Sequence, residues 1–439
     1  MVDITTAAVG EDCLFLNVWT SASASNESLP VYVWIQGGRW TKGSGSISDF
    51  DGAALASKGL VVVTINYRLS VLGFLATQEL LAETSHNSTG NYAILDQIFA
   101  LQWVQSNIAA FGGDPAKVTI GGQSAGAGSV YLHVLSPLSA GLFRGGITES
   151  GMRYPHDPLI WGMPTSYRNM THALALSAEY MADHNVSTIA EARALSLESI
   201  MEDAQPNDAS PYAYSVEIPP YFRPTLDGYV MPMSYSEALE SGSFNDVAII
   251  NGYTANEAGG AVDNTVNTVE LYKEFIVEKY GEEFLDEFLE LYPVSSDDDV
   301  VDQVILAAQE ASRVGMWLYG NEFSKHVSSP YFSYFWTHPI AGDELGAEHS
   351  AEIMYCFNNL YVNTDYNWSD SDYMIADVAS TYWYMFIKTG DPNNDVLPAW
   401  PANSANATMH LDMYPGAIEV ASPSHVDFIR RWFATMLAW

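Results

Sequence analysis

The stretch GGQSAG, Gly121 to Gly126, places Ser124 between Gly122 and Gly126. It follows the β-branched run KVTI, which reads as a short strand, and precedes AGSVYLHVL, which reads as a helix begun by small residues. A serine on a sharp strand-to-helix turn holds strained dihedrals, so its flanking positions need small side chains. The turn lifts the hydroxyl above the sheet edge and aims the helix N-terminus at whatever reacts there. This placement favours a nucleophile over a purely structural Ser/Gly turn. A second stretch, WIQGGRW from Trp34 to Trp40, carries adjacent glycines at the end of an apolar run. Such a turn lets main-chain N–H groups approach something closely, and Arg39 puts a long cation beside them.

A serine hydroxyl attacks only when a base takes its proton and an acid orients that base. On a fold with such a nucleophile turn the chain order is serine, acid, histidine, with the acid and the histidine after later strands. Glu257, in NGYTANEAGG, follows the strand expected at 247–253. His349, in GDELGAEHSAE, lies in the loop after the strand expected at 331–337. His338, in WTHPI, is nearer its strand end but reads as a packed corner ahead of proline. Asp227, in RPTLDGYV, precedes its strand and reads as a turn residue. The chemistry expected is nucleophilic attack by Ser124 with His349 as base and Glu257 as acid.

The elements that must hold these groups alternate. Residues 14–18, 31–35, 60–65, 145–149, 247–253 and 331–337 read as strands. The 60–65 run, LVVVTI, is continuously apolar, as suits a strand buried on both faces of a parallel sheet. Residues 91–111 have apolar positions at helical spacing and end at GGDP, a helix stop and turn. The pattern predicts an α/β fold with a doubly wound sheet. Two long insertions, about 151–245 and 258–330, are expected to cap the C-terminal edge of that sheet. The second is mostly helical, with an acidic Ser-Asp turn at 295–299. No repeat or low-complexity linker divides residues 1–439, so one domain is expected.

The chain has 439 residues, 48% of them hydrophobic, ample for a large core. Acidic residues outnumber basic ones 53 to 17, and a formal charge of -36 repels nucleic acid and anionic membranes alike. The acidity reads as solubility in an acidic or extracellular medium. Cys13 and Cys356 form neither a disulfide framework nor a metal-ligand spacing, and whether they pair with each other is left open. Six N-x-[ST] sequons, at Asn26, Asn87, Asn169, Asn185, Asn367 and Asn406, point to a secreted glycoprotein. No apolar run is long enough to span a bilayer. The opening MVDITTAAVG lacks the features of a signal peptide, so a secreted protein would be present here in processed or incomplete form.

Longer stretches point one way together. EDCLFLNVW, NYRLSVLGFLA, GNYAILDQIFALQWVQSNIAAFGGDP, VTIGGQSAGAGS, ITESG, FRPTLDG, GYTANEAG, GAEHSAEIMYCF, FIKTGDPN and AWP run in order from residue 11 to about 401. In them the chain resembles the type-B carboxylesterase, lipase and cholinesterase family of α/β-hydrolases. The resemblance implies an α/β-hydrolase fold, with a large, mostly parallel sheet, helices on both faces and a helical cap. It implies a carboxylic ester hydrolase acting on a small-molecule or lipid ester without metal or organic cofactor. Ser124 is then nucleophile, Glu257 acid and His349 base, and the N–H groups of Gly38, Arg39 and Ala125 form the oxyanion hole.

The chain departs from the family pattern at several places. Arg39 stands where glycine is usual; it is strained there if φ is positive, and it is expected to turn outward rather than into the acyl pocket. Glu149 stands where glutamine is common and Gln123 precedes the nucleophile, neither altering the expected mechanism. The family carries an N-terminal stretch with edge strands and a disulfide-closed loop, whereas twelve residues precede Cys13 here. The partner implied for Cys13 falls in that stretch, so a free thiol is expected. Arg39 and the short N-terminus are also what a catalytically silent, cholinesterase-like interaction protein would show, but all three triad residues stand against that alternative. Acyl-chain preference and oligomeric state are left open.

Overall fold

A computed structural model of the protein describes residues 9–162, 166–202, 207–208, 219–257, 266–342, 346–403 and 406–439. Parts of both expected cap insertions therefore lie outside the described residues. Nine strands form one sheet. In chain order they are β1 (Leu16–Thr20), β2 (Leu29–Ile35), β3 (Val61–Ile65), β4 (Gly113–Gln123), β5 (Gly145–Glu149), β6 (Ala248–Thr254), β7 (Tyr331–Trp336), β8 (Ala407–Leu411) and β9 (Gly416–Glu419). Their order across the sheet is β1-β3-β2-β4-β5-β6-β7-β8-β9. β1 is antiparallel to β3 and β9 to β8, while every other pairing is parallel. The parallel block sends the C-terminal ends of β2 to β7 to one edge, where the crossover loops can gather side chains from distant parts of the chain.

The residue alternation of β2 explains the two layers around the sheet. Val31, Val33 and Ile35 pack into one core with Ile98, Leu101 and Val130. Tyr32 and Trp34 point the other way, into a core with Phe357, Trp383 and Phe386. A strand sandwiched between helices buries both faces, so β3, β5, β6 and β7 have no exposed residue. The first face is covered by α1 (Tyr92–Asn107) and α2 (Ala125–Leu135), the second by α5 (Asp370–Thr389). A third cluster joins α3 (Val269–Tyr280), α4 (Val300–Phe323) and α6 (Pro423–Phe433).

Most differences from the sequence reading are at element ends. The first strand starts at Leu16 rather than residue 14, and Leu14 and Phe15 are exposed despite being apolar. The helix of 91–111 is α-helical over Tyr92–Asn107 and tightens to a 3₁₀ turn over Ile108–Phe111. Gly112 then closes it in the left-handed region, at φ 80°, a conformation glycine adopts without penalty. The segment 268–327 holds three helices, Val269–Tyr280, Leu285–Leu291 and Val300–Phe323. In the acidic turn before the last of them, Ser296 and Asp299 form a capping box. Strand β8 and the edge strand β9 were not expected.

Candidate active site

The turn at Ser124 is built by what its neighbours lack. Ser124 stands at φ 57° and ψ -121°, between the end of β4 and the first residue of α2. A Cβ on Gly126 would stand 2.0 Å from the Ile35 carbonyl oxygen, and one on Gly122 would stand 2.4 Å from the Gly126 carbonyl carbon. Both would strike main chain that has no side chain to move aside, which is why both positions are glycine. The Ser124 N–H donates to the Glu149 carbonyl (2.8 Å), and its own carbonyl accepts from Gly128 N–H (2.9 Å). The serine is almost buried.

The glycine turn after β2 lies directly against this one. A Cβ on Gly37 would come within 2.5 Å of the Gln123 carbonyl oxygen and 3.1 Å of the Ser124 Cβ. The next three residues all have positive φ: Gly38 at 106°, Arg39 at 58° and Trp40 at 65°. The Gly38 carbonyl accepts from the N–H groups of Thr41 and Lys42, so the turn folds over itself. Trp40 is fully buried, edge-on to Phe74 and Tyr67, and its carbonyl accepts from Ser70 N–H. Arg39 thus occupies the left-handed region, which costs a side-chain-bearing residue about 1–2 kcal/mol. Its guanidinium donates to the Asn207 side-chain oxygen at 3.4 Å, reaching a segment of the first insertion.

The acid and the base expected from the sequence meet across two later loops. Glu257 follows β6 and His349 follows β7, and His349 Nδ1 lies 2.6 Å from Glu257 Oε2. The other carboxylate oxygen accepts from Ser150 Oγ (2.5 Å) and Thr254 N–H (2.9 Å). The loops themselves are bonded: Asn256 N–H donates to the Ala347 carbonyl, and Ala347 N–H to the Asn256 side chain. With Nδ1 facing a carboxylate, the ring proton belongs on Nδ1 and Nε2 presents a lone pair. That Nε2 lies 3.0 Å from Nε2 of Gln123, the residue bonded to Ser124. The His349 side chain is 29% exposed and that of Glu257 18%, so both are partly buried.

Electrostatics hold Glu257 ionised. Burial alone would push its carboxyl up, but the charge of His349 when protonated, the His349 hydrogen bond, the Ser150 hydroxyl and the Arg153 guanidinium bring it below the ordinary carboxylate value. Arg153 is itself buried, paired with Asp157 at 2.7 Å and stacked 4.3 Å over the Tyr253 ring. Two further carboxyls lie beneath. Burial, then the charge of Glu257, pushes Glu352 up to about 7, and burial with the charge of Glu352 pushes Glu149 well up. Tyr334 donates to Glu352 and Trp383 to Glu149.

The rivals are engaged elsewhere. His338 lies between Asp372 (2.9 Å) and Asp412 (3.3 Å), under Tyr355. Asp227 accepts main-chain N–H bonds from Tyr229, Val230 and Met231, as a turn residue does. Cys13 and Cys356 are free thiols. Among the described residues no three His, Cys, Asp or Glu side chains form a metal-binding group, and no helix is long and apolar enough to cross a membrane. Sequence reasoning did not single out Ser150, Arg153 or Glu352. The signal for Ser150 was its place just past the end of β5, which neighbours β4 at the edge that carries Ser124.

Known proteins resemble this chain along its length. A model of the carboxylesterase family matches residues 2–426. Fumonisin B1 esterase of Sphingopyxis macrogoltabida is 34% identical over 405 residues, covering 90% of this chain and 71% of that protein. Human cocaine esterase is 30% identical over 458 residues, covering 97% and 76%, and mouse acylcarnitine hydrolase 29% over 452 residues, covering 98% and 76%. The solved structure of a PNB esterase superposes with a TM-score of 0.75 at 25% identity, covering 98% of this chain and 87% of that one.

Proposed function

This chain belongs to the carboxylesterase family and is a carboxylic ester hydrolase, and we propose that it works through an acyl-enzyme on Ser124. Ser124 Oγ attacks the ester carbonyl carbon while its proton passes to His349 Nε2. The Nδ1–H bond to Glu257 holds the ring in the correct tautomer and balances the imidazolium. The carbonyl oxygen, now an alkoxide, accepts from the N–H groups of Gly38, Arg39 and Ala125, each such donor being worth about 3 kcal/mol in the transition state. Collapse expels the alcohol, which takes the proton from Nε2. Water then enters, gives a proton to the same nitrogen, attacks the acyl carbon, and releases the acid with Ser124 restored.

The observation that carries this reading is the 2.6 Å His349–Glu257 bond, beside a serine held at positive φ between two obligatory glycines. The arginine in the oxyanion turn keeps its N–H, so the donor set is formally intact. A fluorophosphonate probe tests the reading directly. Labelling is expected on Ser124 and absent in Ser124→Ala, whose ester turnover should fall at least ~10⁴-fold with an unchanged thermal melt. Turnover near wild type in that variant would remove Ser124 from the mechanism.

The substrate class we assign is a small-molecule or lipid ester, taken up beneath the two insertions that we read as a cap on a single hydrolase domain. We also read the protein as a secreted glycoprotein. All six sequon asparagines are exposed, so each is open to a glycan. Protein from a secreting eukaryotic host should lose mass on treatment with an N-glycosidase. An unchanged mass would remove the glycoprotein reading.

A further inference from the structure

The base of the proposed triad has a partner that the reaction as written does not use. Gln123 is 4% exposed, and its side-chain nitrogen stands 3.0 Å from Nε2 of His349. The tautomer fixes which way this amide points. Glu257 claims the proton on Nδ1, so Nε2 is an acceptor, and only the NH₂ end of Gln123 can satisfy it.

Carboxylates face this ring from several elements. Glu257 comes from the turn after β6 and Glu352 from the N-cap of the short helix Ile353–Phe357. Glu149 comes from the end of β5, in register with Gln123 of β4, and lies behind Glu352, where burial favours its neutral form. Arg153 is the cation of the group and lies on the far side of Glu257. Negative charges around an imidazole favour its protonated form, which cannot accept the serine proton. A hydrogen bond given to the lone pair acts the other way, because only the neutral ring has a lone pair to receive it.

Resting on the reading of His349 as the base, we propose that Gln123 is a positioning residue that holds His349 neutral at rest, against the pull of the Glu257 carboxylate, and gives up the Nε2 lone pair when the Ser124 hydroxyl takes its place. The amide neither gains nor loses a proton. The Nε2 lone pair takes one hydrogen at a time, so the NH₂ group leaves it as the Ser124 hydroxyl arrives, and the amide can turn to offer its carbonyl once Nε2 carries the proton. A carboxylate at position 123 would reverse the bias, because it stabilises the imidazolium and can donate nothing to the neutral ring.

The test is the pH dependence of the fluorophosphonate labelling rate, from pH 4 to 9, in wild type, Gln123→Met and Gln123→Glu, with a thermal melt for each. In Gln123→Glu the acid limb should move to higher pH by about one unit or more. Labelling is then about tenfold slower below both midpoints and converges with wild type above them. Gln123→Met, which keeps the shape and removes the donor, should shift the limb the same way by less. If Gln123→Glu gives no cooperative melt, the sign of the Gln123→Met shift decides alone. Profiles that superpose after scaling, or limbs that move to lower pH, would overturn the proposal and leave Gln123 a packing residue. Ser124→Ala and His349→Ala serve as the separate control. Labelling that persists in them defeats the triad itself, whereas its loss together with parallel Gln123 profiles defeats only the role given to Gln123.

Discussion

The turn at Ser124 and the turn from Gly38 to Trp40 touch each other, both carry side chains at positive φ, and they are held there by opposite means. At Ser124 the main chain passes so close to β2 that Gly122 and Gly126 leave no room for a Cβ. Contact between backbones fixes its shape. At Gly38–Trp40 three successive residues are left-handed, and two of them bear large side chains. There the shape comes from a buried anchor, Trp40 against Phe74, and from the bonds of Thr41 and Lys42 to the Gly38 carbonyl. A turn fixed by close approach admits no substitution, whereas one fixed by an anchor beside it can carry an unusual residue such as Arg39. The proposed nucleophile sits on the first, and two of the three proposed oxyanion donors on the second.

Four variants would break or sharpen this contrast. The largest effect belongs to Gly126→Ala, whose methyl would meet the Ile35 oxygen at 2.0 Å. It should cost upwards of about 4 kcal/mol or prevent folding, read as a thermal melt and as lost fluorophosphonate labelling. A melt within a few degrees of wild type would mean that the turn yields after all. Trp40→Ala removes the other turn's anchor and should cost about 3–5 kcal/mol. If the anchor governs the oxyanion donors, kcat should fall in this variant while Ser124 keeps its place on the intact first turn; an unchanged kcat would separate the two. Glu257→Gln probes the acid side. The Glu257 carboxyl lies below its ordinary value when folded, so its stabilising contribution is present above that value and is lost as pH falls through the folded one. The wild-type advantage in melting temperature should therefore shrink as the pH is lowered below the ordinary carboxylate range. A gap that widens in acid would reverse that sign. The smallest effect is expected for Arg39→Gly, which relieves left-handed strain and should raise stability by up to about 1 kcal/mol. Its N–H remains, so turnover of an uncharged ester should change less than tenfold. A clear destabilisation would show that the Asn207 contact outweighs the strain.

The sequence was most readable where one local rule dominates. Val61–Ile65 and Tyr331–Trp336 are apolar along their whole length because both faces are buried, and length with β-branched or aromatic content marks them as strands. The serine turn was readable because its glycines answer a requirement within a few residues. Elsewhere the deciding forces are not local. Leu14 and Phe15 continue the alternation of β1, yet they lie outside the strand and in solvent, since nothing in their own pattern says where pairing with β3 begins. β8 and β9 escaped notice because Ala407–Leu411 and Gly416–Glu419 are short and separated by a Pro-Gly turn, and β8 is held by pairing with β7, far away in sequence. The contacts of Gln123, Ser150 and Arg153 depend on which strand ends stand side by side, and no spacing along the chain encodes that. The left-handed conformation of Arg39 could be posed as a condition from the glycine pattern, but only the anchoring Trp40 explains how it is met.

The contact between Gln123 and His349 joins residues 226 positions apart, and the one between His349 and Glu257 spans 92. Long loops must close before such contacts form, which makes them slow and late on a folding path. A refolding chain should therefore regain tryptophan fluorescence, as the local strands and helices collapse, before it can be labelled at Ser124. During synthesis, the proposed base His349 emerges from the ribosome 225 residues after Ser124. On the proposed mechanism the serine turn is an inert hydroxyl until then, and a product truncated before His349 should not hydrolyse esters.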